Sequence, residues 1–537
     1  MKVEEILYEV DHGKLAIPVF QRGFEWPQDK ILKYLRSMYM GYPAGGLLTW
    51  TTGTDKRLIR GAKSPPDKSA TFIVDGQQRI TTLYVIARGE FPEFFIGNKS
   101  RLQDIYFDLE NEKFFYYRKE DIKDHLLWVP VGEVLREGPR VLRRKIRDSL
   151  KGNGGESDDY DRVEKYIDHL EDLQEIMKRE FHISRLYEEK FSIDDVVDIF
   201  VQVNSGSKRL TGGELALAKL SAMRPEARDD LNRRLNKWGE AGFHFSVDWL
   251  LRCINAGLTG RAKFEALDSL TSKDFVKGLD RVESHIDNLI HLLQTKLGID
   301  NDELLGMRAC FPLLTHLLEI SGGEIDDDRV KAKMLYWYIQ TVIHQRYYGG
   351  TEAVLQRDLN ALRMDRTQEE NLDHLILSLH REGIESKYTW PESYGAGKNR
   401  HFQLLYILSR VYVSRDIFTN DPLGFGQFNN PLEKHHIIPN SILKKLDWPQ
   451  KERNDVANFA FLTRKANRTI SNSPPSEYLQ ECENKYKGIL STQWIPSQSR
   501  FWKQRSYSRF LAERRKLLTK AVNRLLSDLK DGRLPDV

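Results

Sequence analysis

The spacing of apolar residues changes along this chain of 537 residues, and that change restricts the fold more than any single motif. The first part carries short apolar runs. Residues 17–20, 47–50 and 71–74 read as strands, whereas 28–40 and 77–88 have helical spacing, with Ile80, Leu83, Tyr84 and Ala87 on one face. Residues 106–109 and 114–117, divided by a polar turn, read as a hairpin, and the Gly-rich stretch 151–159 as a loop. The period then becomes helical, with one stripe at Val163, Tyr166, Ile167, Leu170 and Leu173 and another at Val196, Val197, Ile199, Phe200 and Val203. Residues 214–415 read as helical, broken near 322–328 and 391–397. A compact mixed segment follows to about Leu490, then a basic amphipathic helix. The fold class expected is therefore α+β. The length asks for about three cores at ~150 residues each, placed at 1–215, 216–415 and 416–537.

Composition removes several classes. Hydrophobic residues at 40% and charged residues at 30% supply ordinary cores and do not suit a disordered chain. No run approaches the ~18 apolar residues of a membrane span. The N-terminus lacks the basic start and apolar stretch of a secretory signal. Cys253, Cys310 and Cys482 are far apart and form no C-x-x-C pair, so a reduced, cytoplasmic setting is expected. The net charge of +4 is small, but basic residues gather at Arg500, Lys503, Arg505, Arg509, Arg514, Arg515, Lys516, Lys520 and Arg524. Such a stretch is either a solvated helix face or a set of phosphate contacts.

The most specific chemistry lies in Glu433-Lys434-His435-His436-Ile437-Ile438-Pro439, with Asn458 and Asn467 downstream. Adjacent histidines on a strand point to opposite sides, so one can hold a metal while the other faces a different atom. A His nitrogen and an Asn oxygen hold a divalent cation and leave positions for water and phosphate oxygens. The second His can take a proton from water near neutral pH. The middle Asn suits an orienting role on the His loop. Strand, strand and helix with these residues is the ββα-metal, or HNH, nuclease pattern, whose bland alternative is a surface His pair with two turn asparagines.

Near the start, Pro18-Val19-Phe20-Gln21-Arg22-Gly23-Phe24-Glu25-Trp26 precedes Val74-Asp75-Gly76-Gln77-Gln78-Arg79. The second cluster opens a helix, where free N–H groups with Arg79 and a carboxylate suit a phosphate and a metal. Asp75 with Gln78 three residues on equally fits a capping box. A Walker loop is absent, because around Gly395-Ala396-Gly397-Lys398 the first glycine is replaced by Glu392 and the Ser or Thr by Asn399.

The C-terminal stretches HHIIPNSIL and NFAFLTRKANRTISNSPPSEYL closely resemble the HNH domain that ends GmrSD-type, modification-dependent restriction enzymes. PVFQRGFEW, VDGQQR and FVQVNSGSKRLTGGEL resemble the ParB-like N-terminal domain of the same GmrSD/SspE-type proteins, with Asn204, Gly206, Leu210 and Glu214 in matching places. The resemblance implies metal ligation by His435 and Asn467, catalysis by His436 as base with Asn458 orienting it, and Mg²⁺ or Mn²⁺ as the cation. It further implies a nucleotide, a nucleoside triphosphate being the form expected, held around Gln21, Arg22, Asp75, Gly76, Gln77, Gln78 and Arg79. The function expected is a modification-dependent DNA endonuclease of anti-phage defence acting on double-stranded DNA, with a homo-oligomer compatible and no membrane partner. The alternatives are a ParB-like nucleotide-driven DNA-binding switch with a non-catalytic HNH module, and a toxin-like nuclease without modification sensing.

Overall fold

The computed structural model describes residues 1–537 except 19–20, 22, 54–68, 118–125, 152–156, 205–211, 225, 326, 385–386, 396–398, 424–432, 471 and 536–537. Arg22, Gly206, Leu210 and residues 396–398 therefore lie outside the described residues, as do most of the loop expected at 151–159 and the side chains of Asn204 and Glu214. The chain forms two compact units, Met1–Asp230 and Leu231–Val537. Both mix helices with small sheets, which is an α+β architecture.

In the first unit, α1 (Val3–Asp11), β1 (Leu15–Ala16), α2 (Gln28–Tyr39), β2 (Leu47–Gly53), β3 (Ser69–Asp75) and α3 (Gln77–Arg88) come first. A four-stranded sheet has the order β1-β3-β2-β7, with β7 at Ile183–Tyr187. β3 is parallel to β1 and antiparallel to β2, with Trp50 opposite Phe72. Alternate side chains of β3 feed different cores: Ile73 packs with Ile6, Leu35 and Ile80, while Phe72 and Val74 pack with Trp50, Val196 and Phe200. Burial on both faces explains its continuous apolar run. The strand expected at 17–20 is instead β1, which stops at Ala16. Pro18 has no N–H to donate to a ladder, and continuous strand pairing does not extend to it. The expected hairpin is β4 (Ile105–Asp108) with β5 (Lys113–Tyr116), joined by β6 (Trp128–Pro130) into a second sheet. The stripe from Val163 to Leu173 is buried throughout, as its spacing predicts.

The second unit begins with helices, including α4 (Ser272–Leu297), α5 (Asp328–His344) and α6 (Arg400–Val411). Asp327 caps α5 by accepting from the N–H groups of Arg329 and Val330. Positions 334–343 of α5 are all buried, so it is a central helix rather than an amphipathic surface one. Then follow β8 (Glu433–His436), β9 (Phe459–Leu462), α7 (Arg464–Ile470), α8 (Pro475–Lys485) and α9 (Tyr507–Lys530). β8 and β9 are antiparallel, with His435 opposite Ala460 and His436 opposite Phe459. Among the described residues, no helix is long and apolar enough to cross a membrane.

Candidate functional sites

β8 divides its residues by side. His435 is only 3% exposed, and its Nδ1 faces Asn467 Oδ1, on α7, at 2.9 Å. Its Nε2 lies 3.3 Å from the Tyr478 hydroxyl, which donates to the Ile437 carbonyl at 2.6 Å. His436 points elsewhere, with Nε2 3.0 Å from Asn454 Oδ1 and its ring against Phe459. Asn458 is fully buried. Its Oδ1 accepts from the Ile438 N–H at 2.9 Å and its Nδ2 donates to the Ile438 carbonyl at 3.0 Å, clamping the loop just after the histidines. The structure thus groups His435 with Asn467 and puts Asn458 on the His loop. Burial lowers the pKa of His435 to about 4 and also lowers that of His436, so both rings are neutral at pH 7.

The donor set fits a small hard cation. Two ligands at ~2.1 Å in neighbouring octahedral positions stand about 3 Å apart, the spacing already found between His435 Nδ1 and Asn467 Oδ1. A lone pair on Nδ1 requires the proton on Nε2. The Tyr478 oxygen can accept that proton because its own hydrogen goes to Ile437. Tyr478 and Asn454 were not singled out by the sequence. Tyr478 sits 11 residues beyond Asn467 on a separate helix, and Asn454 reads as an ordinary loop residue.

The basic C-terminal helix requires a correction. Arg514 is fully buried in α9 and donates to the carbonyls of Ala457 and Gln493 at 2.7 and 3.2 Å. Burial brings its pKa down to about 9, which leaves it charged at neutral pH. Arg515 pairs with buried Asp455 at 2.5 Å. Neither is a free surface cation. Arg509, Lys516, Lys520, Arg524 and Lys530 are the exposed basic residues of this helix.

In the first unit, β3 turns into α3 through Gly76, whose φ of +105° favours glycine. A Cβ there would collide with Leu47 Cδ2. The N-cap of the helix is Gly76 rather than Asp75, and the Asp75 carboxylate pairs with Arg79 at 2.8 Å. Arg79 also donates to the Gly46 carbonyl. Gln21 donates to the carbonyls of Ile73 and Val74. Gln78 Oε1 accepts from the N–H groups of Glu25 and Trp26, while Nε2 donates to the Gly23 carbonyl. These two glutamines fasten the first motif to the second rather than reaching outward. Gln21, Asp75, Gly76, Gln77, Gln78 and Arg79 nevertheless line one cavity of about 820 Å³, together with Trp26, Lys30, Tyr34 and Arg101. Among the described residues, the buried Tyr34 hydroxyl has no hydrogen-bond partner.

Residues 3–221 match the N-terminal domain of the GmrSD restriction endonucleases. This part of the chain is similar to the N-terminal part of a restriction-endonuclease-type protein. The resemblance to the GmrSD type holds here, and it implies nuclease activity with DNA as substrate. An uncharacterized protein of Methanocaldococcus jannaschii is 22% identical over 603 aligned positions, which cover 97% of this chain and 98% of that protein.

Proposed function

We propose that β8, β9 and α7 form an HNH-type centre that hydrolyses phosphodiester bonds of double-stranded DNA with Mg²⁺ or Mn²⁺. In this reading the N-terminal domain senses DNA modification or a nucleotide and licenses cutting as part of anti-phage defence. The observation that carries the proposal is the His435–Asn467 pair at cation spacing, with His436 directed elsewhere from the same short strand. A bound divalent cation supplies charge stabilisation at the phosphate and the leaving oxygen. His435 Nδ1 and Asn467 Oδ1 hold it. His436, neutral through burial, presents Nδ1 to the attacking water because Nε2 is engaged by Asn454. Asn458 keeps the loop in place.

The cavity at the start of α3 supports a nucleotide there. Helix-start N–H groups and Arg79 suit phosphates, and the unpartnered Tyr34 hydroxyl can bond a ligand. The test is cleavage of plain, glucosylated-base and phosphorothioate plasmids with Mg²⁺, with and without a nucleoside triphosphate. Absence of any cutting sinks the nuclease reading, and equal cutting of all three plasmids sinks modification sensing.

A further inference from the structure

Glu433 lies two residues before His435 on β8 and therefore on the same face of the strand. Its Oε2 accepts a hydrogen bond from Asn467 Nδ2 at 2.8 Å, and its Oε1 accepts from Arg464 Nε at 2.9 Å. An ionised carboxylate only accepts hydrogen bonds, and an amide nitrogen only donates them. Glu433 thus decides which end of the Asn467 amide faces it. Turning that amide by 180° would set two oxygens against each other at the 2.8 Å contact. It would also aim an NH₂ group at the His435 nitrogen 2.9 Å away, where a cation needs an electron pair.

We propose that Glu433 is a positioning residue for the cation: it holds Asn467 with its oxygen towards His435, and Arg464 holds Glu433 in turn. This rests on the HNH reading above and adds a residue that acts through Asn467 without touching the metal. The pairing is specific to an amide. Were position 467 a carboxylate, both of its atoms would be oxygens, no orientation would need fixing, and Glu433 would only repel it.

The experiment is Mn²⁺ binding to the full chain without DNA, read by electron paramagnetic resonance of the free ion, beside a melting curve. Glu433→Ala is expected to weaken Mn²⁺ binding by ~10–100-fold, the range for partners that orient a metal ligand. Glu433→Gln, whose carbonyl oxygen can accept the same N–H, is expected to stay within a few-fold of wild type. In an Asn467→Asp background, Glu433→Ala should leave Mn²⁺ affinity unchanged or raise it. A Glu433→Gln chain as weak as Glu433→Ala overturns the proposal, as does an equal loss in the Asn467→Asp background. A wild type that binds no Mn²⁺ overturns the HNH reading and this inference together. A wild type that binds Mn²⁺ but is indifferent to Glu433→Ala overturns the inference alone.

Discussion

Around β3 and α3 the motif residues surround an open cavity, whereas around β8 and α7 they bond to one another. At the first place Gln21 and Gln78 are engaged by backbone, and Arg79 by Asp75 and Gly46. What remains for a ligand is helix-start N–H groups, the Tyr34 hydroxyl and space. At the second, His435 and Asn467 already stand at the spacing a cation would impose, and Asn458 locks the loop beside them. A motif can therefore mark a scaffold whose ligand contacts lie partly elsewhere, or a ligand set in its own right. Mutations should separate the two cases.

The largest effect belongs to His436. If it is the base proposed above, replacing it with Ala should lower DNA cleavage by at least ~10²–10⁴ while Mn²⁺ binding persists, since the ring would act on water rather than on the cation. Cutting at the wild-type rate would falsify its role as base. Arg514→Leu should cost the C-terminal unit about 3 kcal/mol, because two buried carbonyls lose their donor. An unchanged urea midpoint for that unit would show that the helix is not its brace. Acid acts on the same unit. His401 bonds to Ser393 Oγ, and burial lowers its pKa to about 4, as it does for His435. With unfolded values near ~6.5, this stability is full above that pH and is lost as pH falls towards 4, by roughly 2 kcal/mol per ring. Circular dichroism against pH checks it, and His401→Gln should remove part of the slope, since burial also lowers the pKa of His316, His344 and His436. A slope identical in that variant rules the ring out.

At the cavity, Asp75→Ala should change stability by no more than about 1 kcal/mol, because the Asp75–Arg79 pair is partly exposed and Asp75 is not the N-cap of α3. If the cavity turns over a nucleotide as proposed, that turnover should nevertheless fall sharply. Normal turnover in a chain that melts normally removes Asp75 from the site. The smallest effect concerns α9, where changing the exposed Arg509, Lys516 and Lys520 to Gln should flatten the salt dependence of DNA binding by ~0.9 log unit for each phosphate no longer neutralised. An unaltered slope makes that face a solvated one.

Where local spacing decides structure, the sequence was readable. The helix from Gln77 to Arg88 starts and stops at glycines, and the hairpin at 105–116 shows its polar turn. Of the residues that the His-His and Asn spacing singled out, His435 and Asn467 meet in space, whereas His436 bonds Asn454 and Asn458 bonds Ile438. Long-range partners were not readable. Tyr478 reaches back 43 residues to His435, and Arg514 reaches 57 residues to Ala457, because packing of separate helices brings them there. Arg514 looked like its basic neighbours on the chain, and only the apolar face of α9 around it explains its burial. Gln21 and Gln78 looked like ligand donors because a polar side chain fastening two backbones carries the same letter as one facing a cavity.

The brace on the His loop is synthesised after the strands and the loop that it supports. Tyr507 donates to the Glu452 carbonyl, Arg514 to Ala457 and Arg515 to Asp455, so residues 507–530 give the segment between β8 and β9 part of its support. If the centre cuts DNA as proposed, a nascent chain on the ribosome cannot yet do so, and neither can a fragment left by stalled translation or a protease clip upstream of α9. On that reading the order of translation acts as a safety catch for the host chromosome, because the centre gains this part of its support only once α9 has been made.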